Sequence, residues 1–184
     1  MRLTVKQKRN ALFVARPAIL AALLLAGQVA LRVVPNVEVV TLFLMVAAFA
    51  FPPSTALIAS VVFCAGEFLI YGFGFWVVAY FIYWPLLVLV SFTLKKIKTD
   101  KARGFAAAGI AAASTTFFGA LTSLIDVLFA VGFKDAGLFF FYYPLKYVNG
   151  MYFYITHIVS NVILVSVFFN PLVVALRKSK LTNL

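Results

Sequence analysis

Few ionisable side chains in this sequence could carry chemistry: there are five acids and one histidine among 184 residues. No run matches Gly-x-x-x-x-Gly-Lys-[Ser/Thr], so the chain is not expected to hydrolyse ATP. Neither His-Glu-x-x-His nor Gly-x-Ser-x-Gly occurs, and Cys64 is the only cysteine, which excludes an internal disulfide and a cysteine-based metal site. The residues therefore predict binding rather than catalysis, with no cofactor or metal held for chemistry.

Two apolar segments carry polar residues in stripes. Thr115, Gly119, Thr122 and Asp126 recur at three- and four-residue steps, which places them on one face of a helix. A later segment repeats the pattern with Asn149, Phe153, Thr156, His157, Ser160 and Asn161. Such stripes either line a binding site or only hold helices together through hydrogen bonds. A lone histidine is more often a hydrogen-bonded core residue than a ligand contact.

Aromatic residues gather between 71 and 84 and between 139 and 154, near the same stripes. An aromatic belt would occupy both membrane interfaces, whereas the other ends of these segments hold few aromatics. Aromatic faces with a few convergent polar groups are typical of a small-molecule pocket. We therefore predict a pocket formed by Asn36, Glu38, Glu67, Tyr71, Trp76, Tyr80, Asp126, Tyr143, Lys146, Tyr147, Asn149 and His157.

Two of these acids lie within apolar segments, where a charge costs at least about 2.5–3.5 kcal/mol at mid-membrane. Glu67 and Asp126 are therefore expected to face the pocket, to pair with Arg32 or Lys146, or to reach the lipid headgroups.

The elements that position these residues follow from composition. Hydrophobic residues make up 65% of the chain and charged residues 11%, whereas soluble domains average about 25% charged residues. The bilayer must serve as the solvent, so we predict one all-α transmembrane domain over residues 1–184, in the bacterial plasma membrane. Its six helices are expected at roughly 12–34, 37–51, 54–71, 75–94, 104–131 and 150–176, with an outer loop at 132–149.

The basic residues predict the orientation. The net charge is +11, and all Lys and Arg residues except Arg32, Lys134 and Lys146 precede or begin the first span, lie between 95 and 103, or follow the last span. This is the positive-inside pattern, so both termini are expected in the cytoplasm and the predicted pocket on the outer side. Nucleic acid is not an expected partner, because a nucleic-acid-binding face needs a basic surface exposed to water.

The first helix carries an alanine ladder at four-residue spacing, comprising Ala18, Ala22, Ala26 and Ala30. Small side chains at this spacing allow another helix to approach closely. The ladder is therefore expected either to pack inside the molecule or to receive a partner helix.

Together these features resemble the substrate-binding S components of energy-coupling-factor (ECF) vitamin transporters, which are ABC-type transporters. The resemblance covers nearly the whole chain. It rests on size, on the six helices, on the alanine ladder and on the run Pro35-Asn36-Val37-Glu38-Val39-Val40-Thr41. It implies that the ladder packs against a transmembrane coupling subunit and that two separate ATPase subunits power uptake. It also implies a substrate captured from outside, beneath the first and last outer loops.

The Asn36-Val37-Glu38 segment looks most like S components assigned to cobalamin, so the resemblance implies cobalamin as the vitamin transported. Those segments usually continue with Pro-Val-Thr, whereas Val39-Val40-Thr41 follows here. Pantothenate, pyridoxine or a thiamine precursor are the other vitamins considered. A non-transport scaffold of the MreD type is the alternative from another class; it would explain the helices and basic ends but not the outer acids and aromatics.

Overall fold

A computed structural model describes residues 4–132 and 135–179, and every regular element within these ranges is helical. A short 3₁₀ turn, Phe92–Lys96, connects the fourth and fifth α-helices. The α-helices are Val5–Leu31 (α1), Val40–Ala50 (α2), Pro53–Tyr71 (α3), Phe75–Ser91 (α4), Asp100–Val131 (α5) and Ala136–Lys178 (α6).

Five of these helices are long and apolar enough to cross a membrane, and α2 is the shorter exception. The prediction of an all-helical fold with several helices of membrane-spanning length is confirmed. At about 1.5 Å per residue, the 11 residues of α2 extend only about 16 Å, roughly half of the ~30 Å hydrocarbon core. A span at 37–51 was predicted, but α2 begins at Val40 and leaves the preceding residues as irregular backbone.

Local sequence explains where several helices begin and end. Pro53 occupies the first turn of α3, where its missing N–H is not needed. Gly72 and Gly132 follow α3 and α5 with φ of 79° and 78°, a left-handed conformation that glycine adopts at little cost. Gly72 therefore ends α3, and Gly132 ends α5, each at the turn to the next helix.

The prediction of a loop at 132–149 is wrong, because α6 begins at Ala136 and includes most of that segment. Asp135 caps the helix by accepting a hydrogen bond from the Leu138 N–H at 2.9 Å. The 43 residues of α6 extend about 64 Å, well beyond the bilayer core. Pro144 lies inside this helix and does not end it.

α6 packs along α5 as an antiparallel hairpin, and Gly119 of α5 and Gly150 of α6 leave room for the Tyr154 ring between the helices. The Tyr154 ring lies where a Cβ on Gly119 or Gly150 would come within 2.8 or 2.6 Å of it. The Tyr154 hydroxyl is 2.8 Å from Ser123 Oγ, which ties the two helices together. The α5–α6 hairpin is thus a continuous support for polar residues on both helices.

Four segments meet at one end of the bundle, which we call the basic end: the first half of α1, the α2–α3 junction, residues 92–100 and the C-terminal turns of α6. Lys95 Nζ donates to the Phe51 carbonyl at 2.9 Å. Asn170 Nδ2 donates to the Asp100 carbonyl at 2.9 Å. The basic runs of the sequence therefore lie together, as the positive-inside pattern requires.

The alanine ladder of α1 faces outward. Ala18, Ala22, Ala26 and Ala30 are all exposed, while Leu24 on the opposite face is fully buried. Of the two expectations for this ladder, internal packing does not occur among the described residues.

Candidate ligand-binding site

The connecting segment 32–39 joins α1 to the short α2 and contacts α6. Asn36 has φ of 60°, a left-handed conformation that asparagine tolerates better than most residues. Its carbonyl accepts a hydrogen bond from Ser160 Oγ of α6 at 3.0 Å. Irregular backbone at membrane depth is tolerated where protein or a cavity surrounds it, so this segment is a natural place for a site.

The buried pair formed by Glu38 and His157 lies at the centre of the site. His157 Nε2 is 3.3 Å from Glu38 Oε1, and the two residues are only 7% and 6% exposed. The N–H of Thr41 donates to Glu38 Oε2 at 2.8 Å. Both oxygens of the buried Glu38 carboxylate therefore have partners within the protein.

A second polar layer lies beside this pair and fixes three helices. Asn161 Nδ2 of α6 is within 3.3 Å of Thr41 Oγ1 and 3.1 Å of Thr115 Oγ1. All three residues are at most 1% exposed. The hydrogen bonds join α2, α5 and α6, so they hold the start of α2, and with it Glu38, at a fixed position.

Aromatic rings form the wall opposite. Tyr80 packs edge-on against Trp84 with ring centroids 5.5 Å apart. Phe118 of α5 contacts Tyr80 and also stands perpendicular to the His157 ring at 5.7 Å. The wall and the connecting segment enclose a cavity of about 200 Å³, which we call the polar cavity. Its lining is Gln28, Leu31, Arg32, Val34, Pro35, Asn36, Val37, Glu38, Tyr80, Trp84, Phe118 and His157.

Buried polar atoms near the cavity lack hydrogen-bond partners. Among the described residues, neither Trp84 Nε1 nor Glu67 Oε1 has a partner, although each side chain belongs to a residue only 2% exposed. Leaving such a group unpaired costs about 1–3 kcal/mol, and native structures rarely do so. These atoms therefore provide hydrogen-bonding capacity that a bound molecule could use.

No known protein family, curated protein or solved structure matches this chain. The interpretation of the site therefore depends on its own geometry.

Seven of the twelve predicted site residues lie in or beside the polar cavity. Asn36, Glu38, Tyr80 and His157 line it. Trp76 packs on Tyr80 with centroids 5.0 Å apart. The remaining two, Tyr71 and Glu67, surround Arg32, whose guanidinium lies 4.8 Å above the Tyr71 ring and whose charge acts on Glu67.

The other five lie toward the tip of the α5–α6 hairpin. Asp126 and Lys146 pair with each other at 2.9 Å, which was the alternative considered for Asp126. Lys146 lies eleven residues from His157, about 16 Å along α6. The remaining three do not reach the cavity lining: Tyr143 stacks on Phe139, Tyr147 packs on Tyr154, and Asn149 is exposed. Lys134, considered as an anion contact, lies outside the described residues.

Sequence reasoning missed Trp84, Phe118, Gln28 and Arg32 as lining residues. A signal existed for two of them. Phe118 is three residues after Thr115 and so belongs to the same helix face, and Gln28 is four residues before Arg32, one helical turn away. Nothing in the sequence separates Trp84 from an aromatic residue that faces lipid.

Proposed function

We propose that this chain captures a small organic molecule within the membrane and serves as the substrate-binding S component of an ECF-type vitamin transporter. The observation that carries the proposal is the polar cavity itself. A buried Glu38–His157 pair faces aromatic side chains within an apolar helical bundle. Ionisable residues inside a membrane protein are costly and mark ligand or ion sites by default.

The chemistry of the lining indicates what such a molecule offers. The Glu38 carboxylate and His157 bind a hydrogen-bond donor or a cationic nitrogen, while the Trp84 N–H donates to an acceptor. Tyr80 and Phe118 supply flat apolar area. A ring with polar substituents on its edge satisfies all of these groups together.

The size of the cavity favours the smaller vitamins. Pockets for drug-sized ligands occupy about 300–1,000 Å³, whereas the polar cavity measures about 200 Å³. Pyridoxine or a thiamine precursor fits this volume more closely than cobalamin, whose large amide-bearing ring requires the connecting segment 32–39 to move outward. We therefore propose a small ring-containing vitamin as the substrate.

The partners in this proposal are a transmembrane coupling subunit and two ATPase subunits. The outward-facing alanine ladder on α1 supports a partner helix, because exposed small residues give close access to the backbone. ATP is hydrolysed by the separate subunits, and this chain contributes binding rather than catalysis.

Replacing Trp84 by Phe tests the site directly. The ring is kept but the N–H donor is lost, so we expect ligand affinity to fall about 5- to 150-fold, the equivalent of 1–3 kcal/mol. Lys146→Ala should leave affinity unchanged, because Lys146 pairs with Asp126 about 16 Å away. Calorimetry on the purified subunit with pyridoxine, thiamine, pantothenate and cobalamin would measure both. A loss of affinity for Lys146→Ala but not for Trp84→Phe would place the site at the hairpin tip instead.

The orientation in this proposal has the basic end in the cytoplasm. In a variant whose buried Cys64 is replaced, a cysteine introduced at 97–99 should resist a membrane-impermeant thiol reagent in intact cells. A cysteine at 135–137 should react. The reverse labelling pattern would contradict capture from outside.

A further inference from the structure

A second cavity lies at the other end of the molecule, on the lipid-facing side between α1, α2 and the last turns of α6. It is an open groove of about 460 Å³ with an almost entirely apolar lining, and we call it the apolar groove. Its walls include Leu12 and Leu23 of α1, Phe43 of α2, Phe51 directly after α2, and Leu176 of α6. Between Leu12 and Leu23 it runs about 16 Å along α1.

Positive charge collects at the basic end of this groove. Arg16 lines the groove with its guanidinium 5.7 Å from the Phe51 ring centroid. Lys95 Nζ donates to the carbonyl of the same Phe51 at 2.9 Å. One residue beyond the groove-lining Leu176, Arg177 lies 5.0 Å from the centroid of Phe49. Three cations from α1, α6 and the 3₁₀ turn therefore surround the C-terminus of α2.

A fourth cation lies beneath them. The Arg103 guanidinium also lies 4.8 Å from the Phe49 ring centroid; Arg103 is 2% exposed, and its buried Nε has no partner among the described residues. Asp100, the only acid among residues 95–103, pairs with this Arg103. The described side chains around Phe49 and Phe51 therefore carry an excess of positive charge, which attracts an anion.

We propose that the apolar groove binds an anionic phospholipid. One acyl chain occupies the groove, and the phosphate lies at its basic end near Arg16, Lys95 and Arg177. The length of the groove, about 16 Å, suits one acyl chain, because half of the ~30 Å hydrocarbon core is about 15 Å. The positive charge at the basic end also suits a phosphate, which accepts strong hydrogen bonds from guanidinium and ammonium groups. A purely apolar partner helix would leave these three cations without an anionic partner.

The test compares two lipids on the full chain purified in detergent. Phosphatidylglycerol and phosphatidylcholine with identical acyl chains are titrated, and the bound lipid is measured by native mass spectrometry. The wild type should prefer phosphatidylglycerol at least about fivefold, the effect of one basic residue near an anionic lipid. Equal binding of the two lipids would overturn the proposal.

Paired variants locate the site. Arg16→Gln should abolish most of the preference for phosphatidylglycerol, whereas Arg9→Gln, an exposed arginine of α1 outside the groove lining, should keep it. Ala15→Trp should fill the groove and reduce binding of both lipids, whereas Val14→Trp, exposed and outside the lining, should not. Unchanged lipid binding in Arg16→Gln and Ala15→Trp would overturn the proposal. So would a homodimer that Ala15→Trp dissociates, because the groove would then hold a second copy of the chain.

Discussion

Replacing Glu38 by alanine is expected to destabilise the protein by about 3–5 kcal/mol, the cost of breaking a buried charged pair. His157 would lose its partner at a position only 7% exposed. The Thr41 N–H at the start of α2 would also lose its acceptor. Equilibrium unfolding in mixed detergent micelles would measure the free energy change.

Asp126→Ala provides the matched control, because it breaks the other described acid–base pair between distant segments. The side chains of Asp126 and Lys146 are 36% and 50% exposed, so the free energy of unfolding is expected to change by at most about 1 kcal/mol. A Glu38→Ala variant within 1 kcal/mol of the wild type would contradict a buried pair at the centre of the site.

Placing tryptophan at Ala22 is expected to abolish ATP-driven uptake while leaving ligand binding by the isolated subunit intact. Ala22 is exposed in the middle of the alanine ladder, and a bulky ring there prevents a partner helix from approaching the α1 backbone. Uptake should fall more than about tenfold, which corresponds to a loss of at least 1.4 kcal/mol of association energy. Uptake in cells and co-purification with the coupling subunit would measure it.

Ala113→Trp makes the same change on an exposed face of α5, away from α1, and should leave uptake unchanged. Full uptake by Ala22→Trp would show that the partner surface lies elsewhere. Loss of ligand binding by Ala22→Trp would show that the substitution damages the fold rather than the contact.

The membrane-spanning helices could be predicted because long apolar runs have no other stable arrangement in a bilayer. The start of α6 could not. Lys146 and Pro144 interrupt the apolar run over residues 136–149, yet this segment is helical and contacts α5 through the Lys146–Asp126 pair and through Tyr143, whose hydroxyl donates to the Ala120 carbonyl. Tertiary contacts thus outweighed the local signal of a proline.

The centre of the site could also be predicted in part. Glu38 and His157 were recognisable because ionisable residues are rare in such a chain, and the structure brings them together across 119 positions. The aromatic wall could not be separated in the same way, since an aromatic side chain on an apolar helix looks alike whether it faces lipid or a cavity. Only the packing of α4 against α5 distinguishes Trp84 and Phe118 from their neighbours.

The most direct test of this account is to identify what the purified protein carries. Small molecules released from the protein after gentle extraction would be measured by mass spectrometry, in wild type and in Trp84→Phe. We expect one ring-containing vitamin, approaching one molecule per chain in the wild type and clearly depleted in the variant. A wild-type protein that releases no small molecule and binds none of the vitamins tested would contradict the proposed function and favour a scaffold of the MreD type.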